Sequence, residues 1–511
     1  MTTFTRIPDG ETPSINVDVS RRLSKIDPMI YGGFMEHMGR CIYGGIYDPG
    51  NPLSDKHGYR TDVLNALRDL DLPVIRYPGG NFIATYHWED GVGPRESRPA
   101  RPELAWLGTE TNEFGTDEFM HYLSVLSEGK EKRVEPYFCL NMGTGTLTEA
   151  LAWVEYCNGT RNTYYANLRR KNGHEEPYNI KYWALGNEVW GPWQVEQMSA
   201  KDYAKKALQW SKALHLLDPT LQLILCGETG LSPWDLTVLL PNIHHITMHS
   251  IHIYSTSTSH LPNALSPLQA ETAIESAASL IQIARIQSKI PPSVPVPKIC
   301  FDEWNVWDPL RAPGEEGAEE KYTLSDALAV GVWLNVFVRQ SRYVGMANLA
   351  QSVNVISPLM TSRDGILKQT TWWPLWLYRP EVGGECGGGA GGASWLDVAG
   401  SVDADGVVSL CVVNVSEEKS FETEVLGVKG EVEVFTITGD NVRVGNTVEK
   451  EEVGIKESKW DGKGKYTFGK HSLTMLRWAT GEKVVEVKRD EGERLDTRKL
   501  AWAGDRELEK S

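Results

Sequence analysis

Two glutamates that end apolar runs are the residues of this sequence best suited to chemistry. Glu188 closes the run Tyr182–Glu188, and Glu303 lies within Ile299–Asn305. Each run is typical of a buried strand that carries a carboxyl group at its C-terminal tip. Two such carboxyl groups can hydrolyse a glycosidic bond, because one protonates the leaving oxygen while the other attacks the anomeric carbon or activates water. The pair indicates a glycoside hydrolase.

Further polar residues follow other apolar runs in the same way. Together with the two glutamates, the set is Glu36, Arg76, Asn81, Asn141, Asn187, His252, Tyr254 and Gln351. Taken one at a time, each of these residues could instead cap a helix or lie in a loop where its polar atoms are hydrogen-bonded locally. In a closed parallel barrel, however, the C-terminal ends of all strands converge on one face, which carries the active site.

The elements that must position these residues alternate regularly. Apolar strands and amphipathic helices form eight strand–helix units, beginning at Ile30 and spanning about 350 residues, which is typical of a (β/α)8 TIM barrel. The alternative is a doubly wound open sheet. It is disfavoured because no Gly-x-Gly-x-x-Gly phosphate loop follows the first strand.

The chain is long enough for more than one domain, and its character changes near residue 381. We predict a catalytic barrel over 26–380 and an additional C-terminal antiparallel β-sandwich, jelly-roll-like, over 381–511. The N-terminal strand within 1–25 is predicted to join this sandwich. The glycine-rich stretch 383–393 is predicted to be a linker or loop, and the charged tail after Gly481 to be solvated or partly disordered.

The amino-acid composition limits the classes of molecule that the protein could bind. The net charge of −16 disfavours nucleic acid and anionic membranes, and 18 tryptophans suit a carbohydrate ligand, although most of them will be core residues. No run of apolar residues is long enough to span a bilayer. The first residues contain no signal-peptide apolar segment, and the scattered cysteines suggest reduced thiols. A cytoplasmic protein is expected, or a secreted one if a prepeptide was removed.

Six motifs resemble glycoside hydrolase family fifty-one, whose typical member is an α-L-arabinofuranosidase. They are Phe34–Arg40 (FMEHMGR), Arg76–Asn81 (RYPGGN), Trp88–Pro94 (WEDGVGP), Gly186–Glu188 (GNE), Phe301–Trp307 (FDEWNVW) and Gln351–Val355 (QSVNV). The resemblance covers roughly residues 30 to 375. It implies a barrel-plus-sandwich architecture, a retaining mechanism, no cofactor and no metal, and a possible homo-oligomer. At residues 252–257 (HIYSTS) the sequence departs from the family pattern. This difference concerns the part of the site that would bind the aglycone, and hence substrate preference.

The resemblance also implies roles for individual residues. Glu188 is similar to the family's acid/base and Glu303 to its nucleophile. Substrate-binding positions are implied for Glu36, Arg76, Asn81, Trp106, Asn187, Tyr254 and Gln351. From chemistry alone, Glu303 must be ionised, which a nearby Arg76 would favour. Trp183 and Trp190 are expected to form an apolar wall beside Glu188.

Three other functions remain as alternatives. An endo-β-1,4-glucanase of the same family would share the catalytic pair. A non-catalytic carbohydrate-binding protein would keep the aromatics but need neither glutamate. A metallohydrolase is suggested by His244, His245, His249 and His252, but strand alternation puts these side chains on different faces, so four ligands do not converge.

Overall fold

Eight short parallel strands close into a barrel in the computed structural model, which describes residues 3–4, 10–381, 385–391 and 395–481. In chain order, from first to eighth, the barrel strands are Gly32–Phe34, Val74–Tyr77, Glu135–Cys139, Tyr182–Leu185, Gln222–Leu225, Met248–Ser255, Lys298–Val306 and Val344–Leu349. The predicted barrel is confirmed, and the doubly wound alternative is wrong because the sheet has no open edge.

Helices cover the outside of the barrel. They are Thr61–Asp69, Thr116–Leu126, Leu147–Asn158, Tyr164–Lys171, Ala200–Leu217, Pro233–Asn242, His260–Leu265, Gln269–Gln287, Leu324–Arg339 and Trp372–Glu381. Several begin with a capping box, in which a threonine or serine side chain and an acidic side chain three residues later bond each other's backbone amides. Thr146 with Glu149 is one example. Buried apolar residues on the inner face of each helix then pack on the strands.

A second sheet, mostly antiparallel, follows the barrel. Its main strands, in spatial order, are Gly454–Trp460, Val432–Thr438, Ser472–Ala479, Val407–Asn414, Leu396–Val402, Glu385–Gly391, Ser14–Lys25, Phe421–Leu426 and Lys465–Phe468. Val434 and Phe468 belong to strands near opposite ends of this order, yet they share one buried core. The sheet therefore folds back on itself as a sandwich, and the N-terminal strand Ser14–Lys25 lies within it.

The glycine-rich stretch is a correction to the sequence prediction. Residues 385–391, predicted as linker or loop, form a strand that pairs with both Ser14–Lys25 and Leu396–Val402. A run of glycines has no side-chain alternation from which a strand could be predicted, whereas its backbone can still pair on both sides. The remainder of 383–393 and the tail after Gly481 lie outside the described residues.

One helix joins the two parts of the molecule. All sixteen residues of Leu324–Arg339 are buried. Gly331 lets this helix approach the sandwich closely, since a Cβ there would lie 2.5 Å from a methyl carbon of Leu473. At the end of the helix Arg339 forms a 2.9 Å ion pair with Asp397 of the sandwich. The barrel and sandwich thus share a continuous apolar interior.

Within the part of the chain that the structure describes, no helix is both long and apolar enough to cross a bilayer.

Candidate active site

The predicted site residues converge at the C-terminal end of the barrel. They come from separate strands or the turns that follow them, and most of them are buried. The first strand leads to Glu36, the second carries Arg76, the fourth leads to Asn187 and Glu188, the sixth carries Tyr254, the seventh carries Glu303, and the eighth leads to Gln351. This convergence is a property of the barrel, because parallel strands end at one face.

Glu303 is held by two neighbouring donors. Arg76 donates from Nη1 to Oε1 at 2.6 Å, and the Tyr254 hydroxyl donates to Oε2 at 2.8 Å. Only 6% of Glu303 is exposed. A cation and a hydroxyl donor thus hold both oxygens of this carboxyl group in place.

Glu188 has a different set of partners. Its Oε1 lies 2.9 Å from His252 Nδ1, and its Oε2 accepts a hydrogen bond from Trp193 Nε1 at 3.1 Å. The backbone of Glu188 is left-handed, with φ of 42°, an uncommon conformation that aims its side chain into the cleft from the turn. The two partners then fix the carboxyl group in one orientation.

Glu36 sits in a ring of donors on the opposite side of the pocket. Its Oε1 accepts from Phe82 N and from Trp106 Nε1, each at 3.0 Å, and its Oε2 accepts from Gln351 Nε2 at 3.0 Å. Burial, and secondly the charge of Glu303, raise the pKa of Glu36 to about 8. Burial thus makes this carboxyl group a weaker acid than an exposed glutamate, although the donors Phe82 N and Trp106 Nε1 act in the opposite direction.

Two asparagines, Asn187 and Asn81, connect the ring of donors around Glu36 to the catalytic pair. Arg76 Nη2 donates to Asn187 Oδ1 at 2.7 Å, and Asn187 Nδ2 donates to Asn81 Oδ1 at 3.1 Å. The structure thus brings together the nine residues to which the family resemblance gives a role, whereas the side chain of Asn141 bonds Tyr86 and Thr144 instead. One expectation is wrong: Trp183 is fully buried and packs against Trp153 on the helix side of its strand, away from the cleft. Alternation along the strand accounts for this, since Trp183 lies on the face that contacts the helices.

Trp193 and Asp302 were not assigned to the site from the sequence, and His252 was expected at this face of the barrel but was given no role there. Asp302 accepts from Tyr137 OH at 2.7 Å, lies 3.5 Å from Arg76 Nε, and lies 3.2 Å from His252 Nε2. Regular alternation would send Asp302 and Glu303 to opposite faces. The pairing of the seventh strand is irregular between Phe301 and Trp304, and both carboxyl groups reach the cleft.

The charges of Arg76, Asp302 and His252 stabilise one another. Burial opposes ionisation of Asp302, but the cations of Arg76 and His252 outweigh it and hold the pKa of this carboxyl well below its ordinary value. Burial would likewise lower the pKa of His252, but Glu303 and Asp302 raise it to about 10. His252 is accordingly an imidazolium at neutral pH. The other histidines of this segment lie elsewhere, and His249 is bonded to Asp235 at 2.8 Å.

Arg76 is expected to be the main stabilising residue of the site. Replacing it by leucine leaves Asp302 and Glu303 buried together without their shared cation, so the free energy of unfolding should fall by about 3–5 kcal/mol. Chemical denaturation at neutral pH measures this. Arg101→Leu is the matched control, because its ion pair with Asp90 is exposed and its loss should leave the midpoint nearly unchanged. Equal shifts in the two variants would contradict the expectation.

Comparisons with known proteins agree with this geometry. Residues 66–268 match the model of the "Alpha-L-arabinofuranosidase 1 domain", and residues 302–472 match that of the "Alpha-L-arabinofuranosidase C-terminal domain". The chain is 61% identical to "Alpha-L-arabinofuranosidase C" of Emericella nidulans, over 94% of this chain and 100% of that one. It is 39% identical to an "Intracellular exo-alpha-(1->5)-L-arabinofuranosidase" of Halalkalibacterium halodurans, over 71% of this chain and 74% of that one.

A solved structure gives the same result in three dimensions. The thermostable GH51 α-L-arabinofuranosidase of Thermotoga petrophila superimposes with a TM-score of 0.85 at 36% identity, covering 91% of this chain and 100% of that one. Identity at this level over nearly the whole of both chains establishes common membership. The chain therefore belongs to glycoside hydrolase family 51, the family of these α-L-arabinofuranosidases.

Proposed function

We propose that this enzyme is a retaining, exo-acting α-L-arabinofuranosidase that removes terminal α-L-arabinofuranosyl residues from arabinan- or arabinoxylan-type glycans or oligosaccharides. The observation that carries the proposal is the catalytic pair. One carboxylate oxygen of Glu188 and one of Glu303 lie within 4.8 Å of each other. Retaining glycosidases hold their carboxyl groups about 5–5.5 Å apart, and inverting ones about 6.5–9.5 Å apart to admit a water. The observed spacing supports double displacement.

In the first step Glu303 attacks the anomeric carbon while Glu188 gives its proton to the leaving oxygen. The bond to the leaving group breaks, and a covalent arabinosyl ester forms on Glu303. Asn187, bonded to Arg76, is placed to hold the 2-hydroxyl of the sugar, a contact that strengthens as positive charge develops at the anomeric carbon.

In the second step Glu188, now ionised, takes a proton from water. The resulting hydroxide equivalent attacks the anomeric carbon of the ester, the bond from that carbon to Glu303 breaks, and Glu303 leaves as a carboxylate. Trp106 and Gln351 both bond the carboxyl group of Glu36, so these three residues form one group. We assign to these three residues the binding of the ring and the remaining hydroxyls of the terminal sugar. Such binding suits the removal of one sugar residue at a time.

We expect the arabinofuranoside to be the preferred aryl glycoside. Turnover of the 4-nitrophenyl α-L-arabinofuranoside, β-xyloside and β-glucoside should be compared at equal concentration. The motifs around Glu36, Arg76 and Gln351 motivate this ranking. Faster glucoside hydrolysis would favour the endoglucanase alternative, and absence of hydrolysis with retained sugar binding would favour a non-catalytic carbohydrate-binding protein.

A bell-shaped pH dependence of kcat/KM should accompany this activity. Glu303 must be ionised and Glu188 protonated at the same time, so activity rises with ionisation of the first and falls with ionisation of the second. The optimum is expected in the acidic-to-neutral range. Measurement with an aryl arabinofuranoside in constant-ionic-strength buffers gives both limbs. If Glu188→Gln keeps full activity and the falling limb, the assignment of the acid is wrong.

We also propose an intracellular location. Six cysteines of the described residues are buried free thiols, which suits a reducing compartment, and the Halalkalibacterium relative is named intracellular. Fractionation of producing cells tests this, and recovery of the activity from the medium of intact cells would contradict it.

A further inference from the structure

We propose that His252 is a positioning residue that lets Glu188 change between acid and base, by acting as a fixed cation shared between Glu188 and Glu303. The inference rests on the proposed double displacement and goes beyond it, since the two glutamates alone do not determine where the negative charge is most stable at each stage.

The position of one ring nitrogen carries the inference. Nδ1 of His252 lies 2.9 Å from Glu188 Oε1 and 3.6 Å from Glu303 Oε2. A single N–H group therefore faces both catalytic carboxyl groups, with the shorter contact to the acid/base. Only 7% of His252 is exposed, so water screens this charge weakly.

The other ring nitrogen faces Asp302, whose negative charge keeps the ring charged. Nε2 lies 3.2 Å from Asp302 Oδ1 and 3.2 Å from the Ser250 hydroxyl. Asp302 is itself anchored by Tyr137 and Arg76. Nδ1 faces the ionised carboxylate of Glu303 and Nε2 faces that of Asp302, which favours a proton on both nitrogens, in agreement with the pKa of about 10.

The remaining groups around the ring do not supply a second movable charge. Arg76 is the other nearby cation, but it is bound to Glu303 and Asp302 and makes no contact with Glu188. Tyr254 is a neutral donor to Glu303, and its pKa is raised well above its ordinary value by burial and by neighbouring carboxylates. Trp193 bonds Glu188 without charge.

The reaction moves one negative charge across His252. In the free enzyme the charge is on Glu303 and Glu188 is neutral. Formation of the ester neutralises Glu303, and loss of the proton to the leaving group makes Glu188 the anion. A cation that touches both positions stabilises the charge before and after this transfer, so the base required in the second step is already ionised.

A substitution at His252 that removes the positive charge but keeps a hydrogen-bond donor tests the inference. In His252→Gln an amide N–H can still reach Glu188, but the cation is gone. Both catalytic carboxyl groups should then ionise less readily, so both limbs of the kcat/KM profile should move to higher pH by about one unit or more. At pH values below the optimum, hydrolysis of the ester should become the rate-limiting step. A burst of nitrophenol and a lower KM would reveal this change.

Ser250→Ala is the matched control. It removes a hydroxyl that contacts His252 and Asp302 but leaves every charge in place, so its limbs should stay where the wild-type limbs are. A merely structural role for His252 would lower activity at every pH without moving either limb. Unmoved limbs in His252→Gln, or equal movement in Ser250→Ala, would overturn the inference.

A measurement on the unaltered protein covers the case in which the variant does not fold. Nitrogen-15 NMR of labelled imidazole should show the His252 ring doubly protonated through pH 8, both in the free enzyme and after trapping as a fluoro-arabinosyl ester. A neutral ring at pH 7 in either state would overturn the inference. Wild-type enzyme inactive on arabinofuranosides would instead contradict the proposed function.

Discussion

Glu303→Gly should lose about 10⁴-fold or more of its activity, and azide should restore turnover with inverted stereochemistry. Without Glu303 the ester cannot form, because the carboxylate that attacks the anomeric carbon is missing. The cavity left by the side chain admits azide, which attacks the anomeric carbon directly. An α-arabinofuranoside with a dinitrophenyl leaving group should therefore give the β-azide.

Proton NMR of the sugar azide distinguishes the two anomers. Glu303→Gln is the control, because its amide fills the same space and should allow neither ester formation nor azide entry. Recovery of the α-azide from Glu303→Gly would show two displacements, and therefore a nucleophile other than Glu303.

Glu188→Ala should show a loss that depends on the leaving group. Substrates with poor leaving groups, such as arabino-oligosaccharides, should react about 10²–10⁴-fold more slowly, because the leaving oxygen is no longer protonated. A dinitrophenyl glycoside needs no such proton, so its ester on Glu303 should form rapidly and accumulate. A burst of dinitrophenolate followed by slow turnover measures this accumulation.

Azide separates the roles of the two glutamates. It needs no base, so in Glu188→Ala it should release the ester quickly and give the α-azide, with configuration retained after two displacements. Trp193→Phe is the informative companion, because it removes one hydrogen bond from Glu188 but leaves the carboxyl group. A β-azide from Glu188→Ala would mean that the two roles are reversed.

Periodicity along the chain was sufficient to predict the barrel. The eight strand–helix units follow from local signals, because short apolar strands alternate along the chain with longer helical segments, as at Leu324–Arg339 and Val344–Leu349. Residues 385–391 carried no such signal. Their strand depends on backbone pairing with neighbours distant in sequence, which composition does not encode.

The catalytic pair was predictable for a related reason. Glu188 follows the fourth barrel strand and Glu303 lies in the C-terminal half of the seventh, and a parallel barrel brings the C-terminal ends of its strands together whatever the loops do. Trp193 and Asp302 needed coordinates, as did the contacts of His252, which the sequence placed at the same face without a role. Trp193 folds back onto Glu188 through a turn, and Asp302 enters the cleft through an irregular strand pairing, so neither position follows from alternation.

The buried helix Leu324–Arg339 has a consequence for how the enzyme denatures. It follows the strand that carries Glu303, and its outer surface has the sandwich, not solvent, as its neighbour. Loss of the sandwich would expose an apolar helix on the barrel, and loss of the barrel would expose the apolar side of the sandwich. Neither half then has a stable folded state of its own, and heat should melt both in a single cooperative transition that coincides with the loss of activity.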